Sequence, residues 1–254
     1  MIFEILTLFP GMFIGPLNES IVGKARERSL VHVRVHNIRD YAFDRHQVTD
    51  DRPFGGGEGM VMKPEPIVRA LDGLQREFPA PHVVLMSPQG RLFNQRIARE
   101  LSLLPRVALI CGRYEGVDER VGMYYAQDEI SVGDYVLTGG ELAAMVLVDA
   151  VTRLIPGVLG NAESASMESF SESVLEYPQY TRPQVFEGHA VPEILLSGHH
   201  EAIRRWRRGQ ALLRTKVRRP DLFDRFEPTA EDLQLLREAE EEDERIRGSG
   251  YPGC

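Results

Sequence analysis

Short apolar, β-branched runs alternate with longer amphipathic stretches along the first two-thirds of the chain. Residues 2–8, 31–36, 83–86, 106–111 and 129–132 read as strands. Between them, residues 67–77, 94–103 and 141–154 carry the apolar spacing of helices. Strands that alternate with helices predict an α/β domain with a largely parallel sheet. The third helix is entered through Gly139 and Gly140. It is apolar on nearly every side, which predicts burial or a place in a subunit interface.

The texture changes near Gly160. Residues 160–174 (GNAESASMESFSESV) are small, polar and acidic, which is linker composition. Two X-Pro turns follow, at Tyr177-Pro178 and Arg182-Pro183. From Gly198 the pattern becomes helical and basic, through HHEAIRRWRRGQALLRTKVRRPDLF. The remainder is acidic and ends in GSGYPGC. The predicted organisation is an α/β domain over residues 1–159, a flexible linker over 160–175 and a small, mainly helical domain over 176–254.

A chain of 254 residues suits one to two domains. Its longest apolar run, around residues 143–151, is too short for a membrane span and contains Asp149. The opening MIFEILTLFPGMF has no basic start and carries Glu4, so it reads as a first strand and not as a signal peptide. Two cysteines, Cys111 and Cys254, exclude a disulfide framework and a cysteine-rich zinc site, and point to a reducing cytoplasm. The net charge of −8 argues against a wholly basic nucleic-acid coat. It leaves room for a local basic face, because counterion release depends on the contacting surface.

Four glycine-bearing segments are candidates for chemistry. RPFGGGEGM begins at Arg52 and places Gly55, Gly56, Gly57 and Gly59 in one loop. It lacks the Gly-Lys-Ser/Thr of a phosphate loop, and GxGxxG counted from Gly55 fails at Met60. Its composition suits an ordinary surface loop as well as a ligand loop. SPQG, CGRYEG and SVGDYVLTGG each follow a predicted strand, and each alone suits a strand-to-helix turn. Three such loops at the carboxyl ends of parallel strands suit a ligand held by backbone groups. None contains lysine, so a polyphosphate is poorly served.

Arg153 and the carboxylates Glu163, Glu168 and Glu172, taken alone, suit a helix end and a solvated linker. Arg204, Arg205, Arg207, Arg208, Arg214, Lys216, Arg218 and Arg219 surround Trp206, with only Glu201 opposing them locally. That one-sided, arginine-dominated bias suits a phosphate-backbone footprint. The seven histidines have no metalloprotease spacing, and His199 with His200 suits a helix cap. There is no GxSxG and no evident nucleophile–base pair, so covalent catalysis is not suggested.

Taken in order, LTLFPGMF, VTDDRPFGGGEGMVM, SPQGR, LICGRYEGVDERV, EISVGDYVLTGGELAAM, RLIPGVLGN, YPQYTRP, VPEILLSGHH, IRRWRR and RTKVRRPDL span residues 6 to 222. This series resembles the bacterial tRNA (guanine-N1-)-methyltransferases, the TrmD family of knotted SPOUT methyltransferases. The resemblance implies a parallel sheet closed by a deep C-terminal trefoil knot, a homodimer with a composite site, and tRNA as the partner. It implies S-adenosylmethionine as methyl donor, held in a bent form. The matching positions are Pro88, Gly112, Tyr114, Glu115, Gly116, Ser131, Val132, Gly133, Asp134, Tyr135, Val136, Leu137, Gly139 and Gly140. Asp50 and Arg52, beside the glycine loop, join the basic segment as expected RNA contacts.

The implied reaction is methyl transfer to N1 of the guanosine immediately 3′ of the anticodon, position 37. Guanine N1 bears a proton at neutral pH, so a base must remove it, and charge building on O6 needs a donor or cation. The family uses a linker aspartate and an arginine at the end of the preceding helix. Here these positions match Glu168 and Arg153, and the glutamate is one methylene longer than the family's residue. The target base is expected to flip out of its stack, and the linker to order when RNA binds. Mg²⁺ enters by resemblance only, since no metal-ligand spacing is present. Two rival readings are a nucleotide-binding kinase or dehydrogenase, disfavoured by the missing phosphate lysine, and a non-catalytic RNA-binding module.

Overall fold

The computed structural model describes residues 1–160, 169–170 and 174–248. The chain divides into two compact units, Met1–Ala162 and Glu163–Cys254. Among the described residues, no helix is long and apolar enough to cross a membrane.

The first unit holds strands β1 (Ile2–Thr7), β2 (His32–Asn37), β3 (Asp50–Asp51), β4 (Val61–Met62), β5 (His82–Leu92), β6 (Arg106–Cys111) and β7 (Asp128–Ser131). Its helices are α1 (Ser20–Glu27), α2 (Pro64–Gln75), α3 (Gln95–Ser102), α4 (Glu119–Tyr125) and α5 (Glu141–Thr152). Five strands form one parallel sheet in the order β2-β1-β6-β5-β7. The predicted α/β architecture with a parallel sheet is therefore present. Helices α1 and α4 carry too little apolar periodicity to stand out in the sequence.

Both faces of the sheet are covered, as an all-parallel sheet requires. The two-residue period of each strand divides its side chains between them. Phe3, Ile5, Val84, Met86, Val107 and Leu109 face α1, α3 and α5. Leu6, Val83, Leu85, Ala108 and Ile110 face α2 and α4. Every residue of β6 is buried. Local signals set the helix starts. Pro64 opens α2, where its missing N–H costs nothing. Asn94 caps α3, its side-chain oxygen accepting from Ile97 N at 3.1 Å. Helix α5 turns one face to the core, while Leu142 and Val146 are about half exposed on the other.

Strand β5 departs from expectation. The SPQG segment lies within a single strand instead of forming a strand-to-helix turn. Met86 and Arg91 both pair with Ile130, so the four residues between them loop out of the ladder. Gly90 sits against β7, and a Cβ there would overlap the backbone of Glu129 and Ile130.

A buried charge cluster lies away from these loops. The Glu4 side chain is fully buried, with its oxygens 2.7 Å from His36 Nε2 and 2.9 Å from Arg106 Nε. Arg106 also reaches Glu77 Oε2 at 2.9 Å and donates to the carbonyls of Leu74 and Pro79. Burial pushes the Glu4 pKa up. The hydrogen bonds from His36 and Arg106 outweigh it and hold the group below its ordinary 4.5. A carboxyl depressed in the folded state contributes stability that is present above pH 4.5 and lost as pH falls through the lower folded value. Glu4→Gln is expected to lose about 3 kcal/mol at pH 7, because Arg106 is left without its buried partner. Urea titrations should show the gap between the variant and the natural protein narrowing below pH 4.5. A gap independent of pH rejects the linkage.

The second unit contains the hairpin β8 (Val185–Phe186) and β9 (His189–Ala190), a 3-10 turn at Glu193–Leu196, and helices α6 (His200–Arg218), α7 (Pro220–Phe223) and α8 (Ala230–Gly248). Leu212 and Leu213 pack on Leu236 and Ala239, with Phe223 and Phe226 at the edge. Gly209 admits α8 closely, since a Cβ there would lie 2.8 Å from the Leu235 carbonyl. His199 makes no side-chain cap to α6, against expectation. The Ser197 hydroxyl instead accepts from the His199 amide at 3.1 Å.

Candidate active site

Three loops converge at the carboxyl ends of the central strands. They are the excursion in β5, the turn after β6 at residues 112–116, and the segment from the end of β7 to α5 at residues 131–140. Together with the β3–β4 hairpin they line one open cavity of about 1280 Å³. Pro88, Gly112, Tyr114, Glu115, Gly116, Ser131, Val132, Gly133, Tyr135, Val136, Leu137, Gly139 and Gly140 all line it. Asp134, alone of the resemblance-derived cradle residues, does not; it is exposed at the same turn.

Backbone hydrogen bonds bind the loops to one another. Gly140 N donates to Gly112 O at 2.9 Å, and Arg113 bridges Gly139 in antiparallel fashion. Met62 N donates to Gly116 O and Glu115 N to Met60 O, both at 2.9 Å, which ties the β3–β4 hairpin to the second loop. The Ser131 hydroxyl donates to Gly133 O at 3.1 Å and closes the third. At Gly140 the chain passes so near its neighbour that a Cβ would lie 2.8 Å from Cys111 Cα and 3.1 Å from Met86 Cβ. Gly140→Ala is expected to lower stability by about 1–3 kcal/mol through overpacking. An unchanged urea midpoint contradicts that packing.

A charge network that no local pattern signals lies beneath the loops. Glu141, the first residue of α5, is fully buried and accepts from Thr7 Oγ1 at 2.8 Å. Its other oxygen lies 2.9 Å from Arg113 Nε. The N–H does not point along that line, so the contact is an ion pair and not a hydrogen bond. Arg113 also donates to Thr138 O at 3.1 Å and stacks over Phe9 at 4.5 Å. One side chain thus ties together the second loop, the third loop and the end of β1. The sequence offers no signal for this set, because its members lie in three separate segments, at residues 7–9, 113 and 138–141.

Cys111 is buried below the cavity. Burial, and secondarily the Glu141 carboxylate, push its thiol pKa well above 9.0, so it stays protonated and inert. Glu129 lines the cavity, and burial, then the nearby Glu119 charge, raise its pKa above 4.5.

The glycine loop joins β3 to β4 as a hairpin connection. Arg52 lines the cavity and Asp50 does not. Asp50 instead pairs with Met62 in the ladder. Arg153 stands at the carboxyl end of α5 as its C-cap. Glu163, Glu168 and Glu172 lie outside the described residues. Among those that are described, no three His, Cys, Asp or Glu side chains gather as a metal site.

The basic segment is less one-sided than its sequence implies. Helix α8 lies along α6 and supplies carboxylates to it. Arg205 pairs with Glu231 at 3.1 Å, Arg208 with Asp232 at 2.7 Å and Lys216 with Glu240 at 2.6 Å. Trp206 is half-buried, and its indole N–H donates to Glu242 at 3.0 Å. Arg204 and Arg219 pair with Glu201 and Asp221. The expectation that Glu201 alone opposes the segment is thus corrected. Beside the local Glu201 and Asp221, opposing charges come from Glu231, Asp232, Glu238 and Glu240, distant in sequence and adjacent in space.

The family model described as tRNA (Guanine-1)-methyltransferase TrmD matches residues 1–225. The chain belongs to the TrmD family. A relative named tRNA (guanine-N(1)-)-methyltransferase from Geobacter sp. (strain M21) is 56% identical over 244 residues, 96% of this chain and 98% of its own. One of the same name from Dictyoglomus turgidum is 57% identical over 239 residues, 94% of this chain and 96% of its own. The crystal structure of tRNA (m1G37) methyltransferase from Aquifex aeolicus superposes with a TM-score of 0.72 at 39% identity, covering 89% of this chain and 95% of that one. The parallel sheet and the converging loops are thus those of a TrmD-family protein.

Proposed function

We propose that this TrmD-family chain methylates N1 of guanosine 37 in tRNA with S-adenosylmethionine as donor. The observation that carries the reading is the convergence of three glycine-bearing loops on one cavity at the carboxyl ends of β5, β6 and β7. The donor set suits that molecule. The three loops are rich in backbone amides and carbonyls and contain no lysine for a polyphosphate, and Lys63, which also lines the cavity, stands outside them at the start of α2. Gly112, Tyr114, Gly116, Leu137 and Gly140 would hold the donor, with Glu115 available to its polar groups. When bound, S-adenosylmethionine supplies an electrophilic methyl on a sulfonium.

The chain's own groups then have two tasks. Glu168 removes the proton from guanine N1 and frees the lone pair that attacks. Arg153, at the end of α5, offers its guanidinium to the charge that builds on O6. Mg²⁺ is assigned no residues and no step.

The same reading takes the sheet as knotted, with the 87–90 excursion and the second and third loops forming the knot. Membership of the TrmD family and the close backbone fit at Gly90 support it. It takes the enzyme as a cytoplasmic homodimer, to which the exposed Leu142 and Val146 of α5 would contribute apolar surface. Asp50 and Arg52 contact RNA beside the cavity.

The test is transfer of labelled methyl from S-adenosylmethionine to unmodified tRNA transcripts carrying guanosine or adenosine at position 37. Incorporation is expected with guanosine only. Equal labelling of both, or saturable binding of ATP or NAD in place of the donor, overturns the proposal.

A further inference from the structure

Helix α6 keeps one face that α8 does not neutralise. Arg207, Arg214 and Arg218 stand seven and eleven residues apart, two and three helical turns, and so share that face. No carboxylate among the described residues pairs with any of them. The Nε atoms of Arg207 and Arg214 are buried without a hydrogen-bond partner there. Arg207 is instead held by stacking on Tyr177, its guanidinium carbon 4.7 Å from the ring centroid. A guanidinium positioned by a ring and not by an acid keeps its terminal nitrogens for an anion.

Arg207 also lines a hollow of about 490 Å³ that belongs wholly to the second unit. Leu195, Leu196 and Ile203 supply its apolar surface. Gln184 and Arg182 stand at the same hollow. Its size falls in the range that takes a small ligand. Apolar surface beside an amide and a charged, stacked arginine matches a nucleotide, whose base is flat and apolar on its faces, polar on its edge and anionic at its phosphate.

We propose that this hollow receives one unstacked nucleotide of the RNA substrate, distinct from the guanosine that is methylated. Its base lies on Leu195, Leu196 and Ile203, and its phosphate on Arg207. Arg214 and Arg218 continue the phosphate track along α6. The inference rests on the RNA-modifying reading above. It explains how α8 covers part of the basic helix without abolishing an RNA face.

Two variants of the full chain test it. Leu196→Asp puts a like charge beside the phosphate at a half-exposed position. Arg207→Gln removes the cation. Affinity for an unmodified tRNA transcript is read by filter binding at several salt concentrations, alongside labelled-methyl transfer and S-adenosylmethionine binding. Each variant is expected to weaken tRNA binding and raise KM for tRNA about tenfold. kcat and donor affinity should stay within about twofold, and Arg207→Gln should lower the salt slope by about one. A transcript carrying 4-thiouridine should crosslink to peptides from residues 178–207.

Wild-type tRNA affinity in Leu196→Asp overturns the proposal. So does a change in oligomeric state with RNA affinity intact, which would assign the hollow to a second copy. Failure of methyl transfer by the natural protein would sink the catalytic reading and leave these binding comparisons readable.

Discussion

Glu168→Gln is expected to lower single-turnover methyl transfer by about 10²- to 10⁴-fold, the range over which a positioned general base acts. Glutamine keeps the length and a hydrogen-bonding oxygen of the side chain but cannot accept the N1 proton. Affinity for S-adenosylmethionine and for tRNA should therefore stay near that of the natural protein, and the loss should fall on the chemical step. Glu168→Asp restores the carboxylate on the shorter stem found in the family. It is expected to recover a large part of the rate, since it returns a group that can accept the N1 proton, with a shortfall set by a displacement of about 1 Å. Near-natural single-turnover rates in Glu168→Gln would remove this residue from the mechanism. Rapid-quench measurements with enzyme in excess make the distinction, because they isolate the transfer from product release.

The second large effect is expected at Arg113. Arg113→Met leaves the fully buried Glu141 carboxylate with Thr7 as its remaining partner. Removing one member of a buried ion pair costs about 3–5 kcal/mol, because the other charge stays desolvated. A loss near the lower end is expected, since Arg113 is 15% exposed and its place can admit water. The double variant Arg113→Met/Glu141→Leu should regain much of that loss, as apolar replacements of buried pairs often do. Urea denaturation of the two single variants and the double variant completes the cycle. Stability in Arg113→Met equal to that of the natural protein contradicts the assignment. The same variant should weaken donor binding, because Arg113 ties the second loop to the third.

The sheet was legible because parallel strands are buried on both faces and write themselves as short apolar runs. The helices over residues 64–75 and 95–102 were legible because each covers a sheet face with a regular apolar stripe, and that over 141–152 because it is apolar on nearly every side. The candidate site was legible only in pieces. Each glycine loop could be found alone, and the rule that ligands collect at the carboxyl ends of parallel strands grouped three of them. The SPQG segment was misread as a turn because its conformation depends on β7, which pairs with Met86 and with Arg91 on either side of it. That partner lies about forty residues downstream, and no local propensity encodes it.

The sequence by itself determined the class of fold, the alternating core, the change of texture near residue 160 and, through its ordered motifs, the family. Those features rest on short-range periodicity and composition, which a linear chain displays directly. The tertiary structure alone decided which charges meet. It paired Arg113 with Glu141 across 28 positions and set the acidic α8 against the basic α6. Within α6 it thereby left Arg207, Arg214 and Arg218 as the arginines that no carboxylate among the described residues pairs with. The physical reason is that electrostatic partnership depends on distance in space, and folding brings together side chains whose separation along the chain carries no trace of their contact.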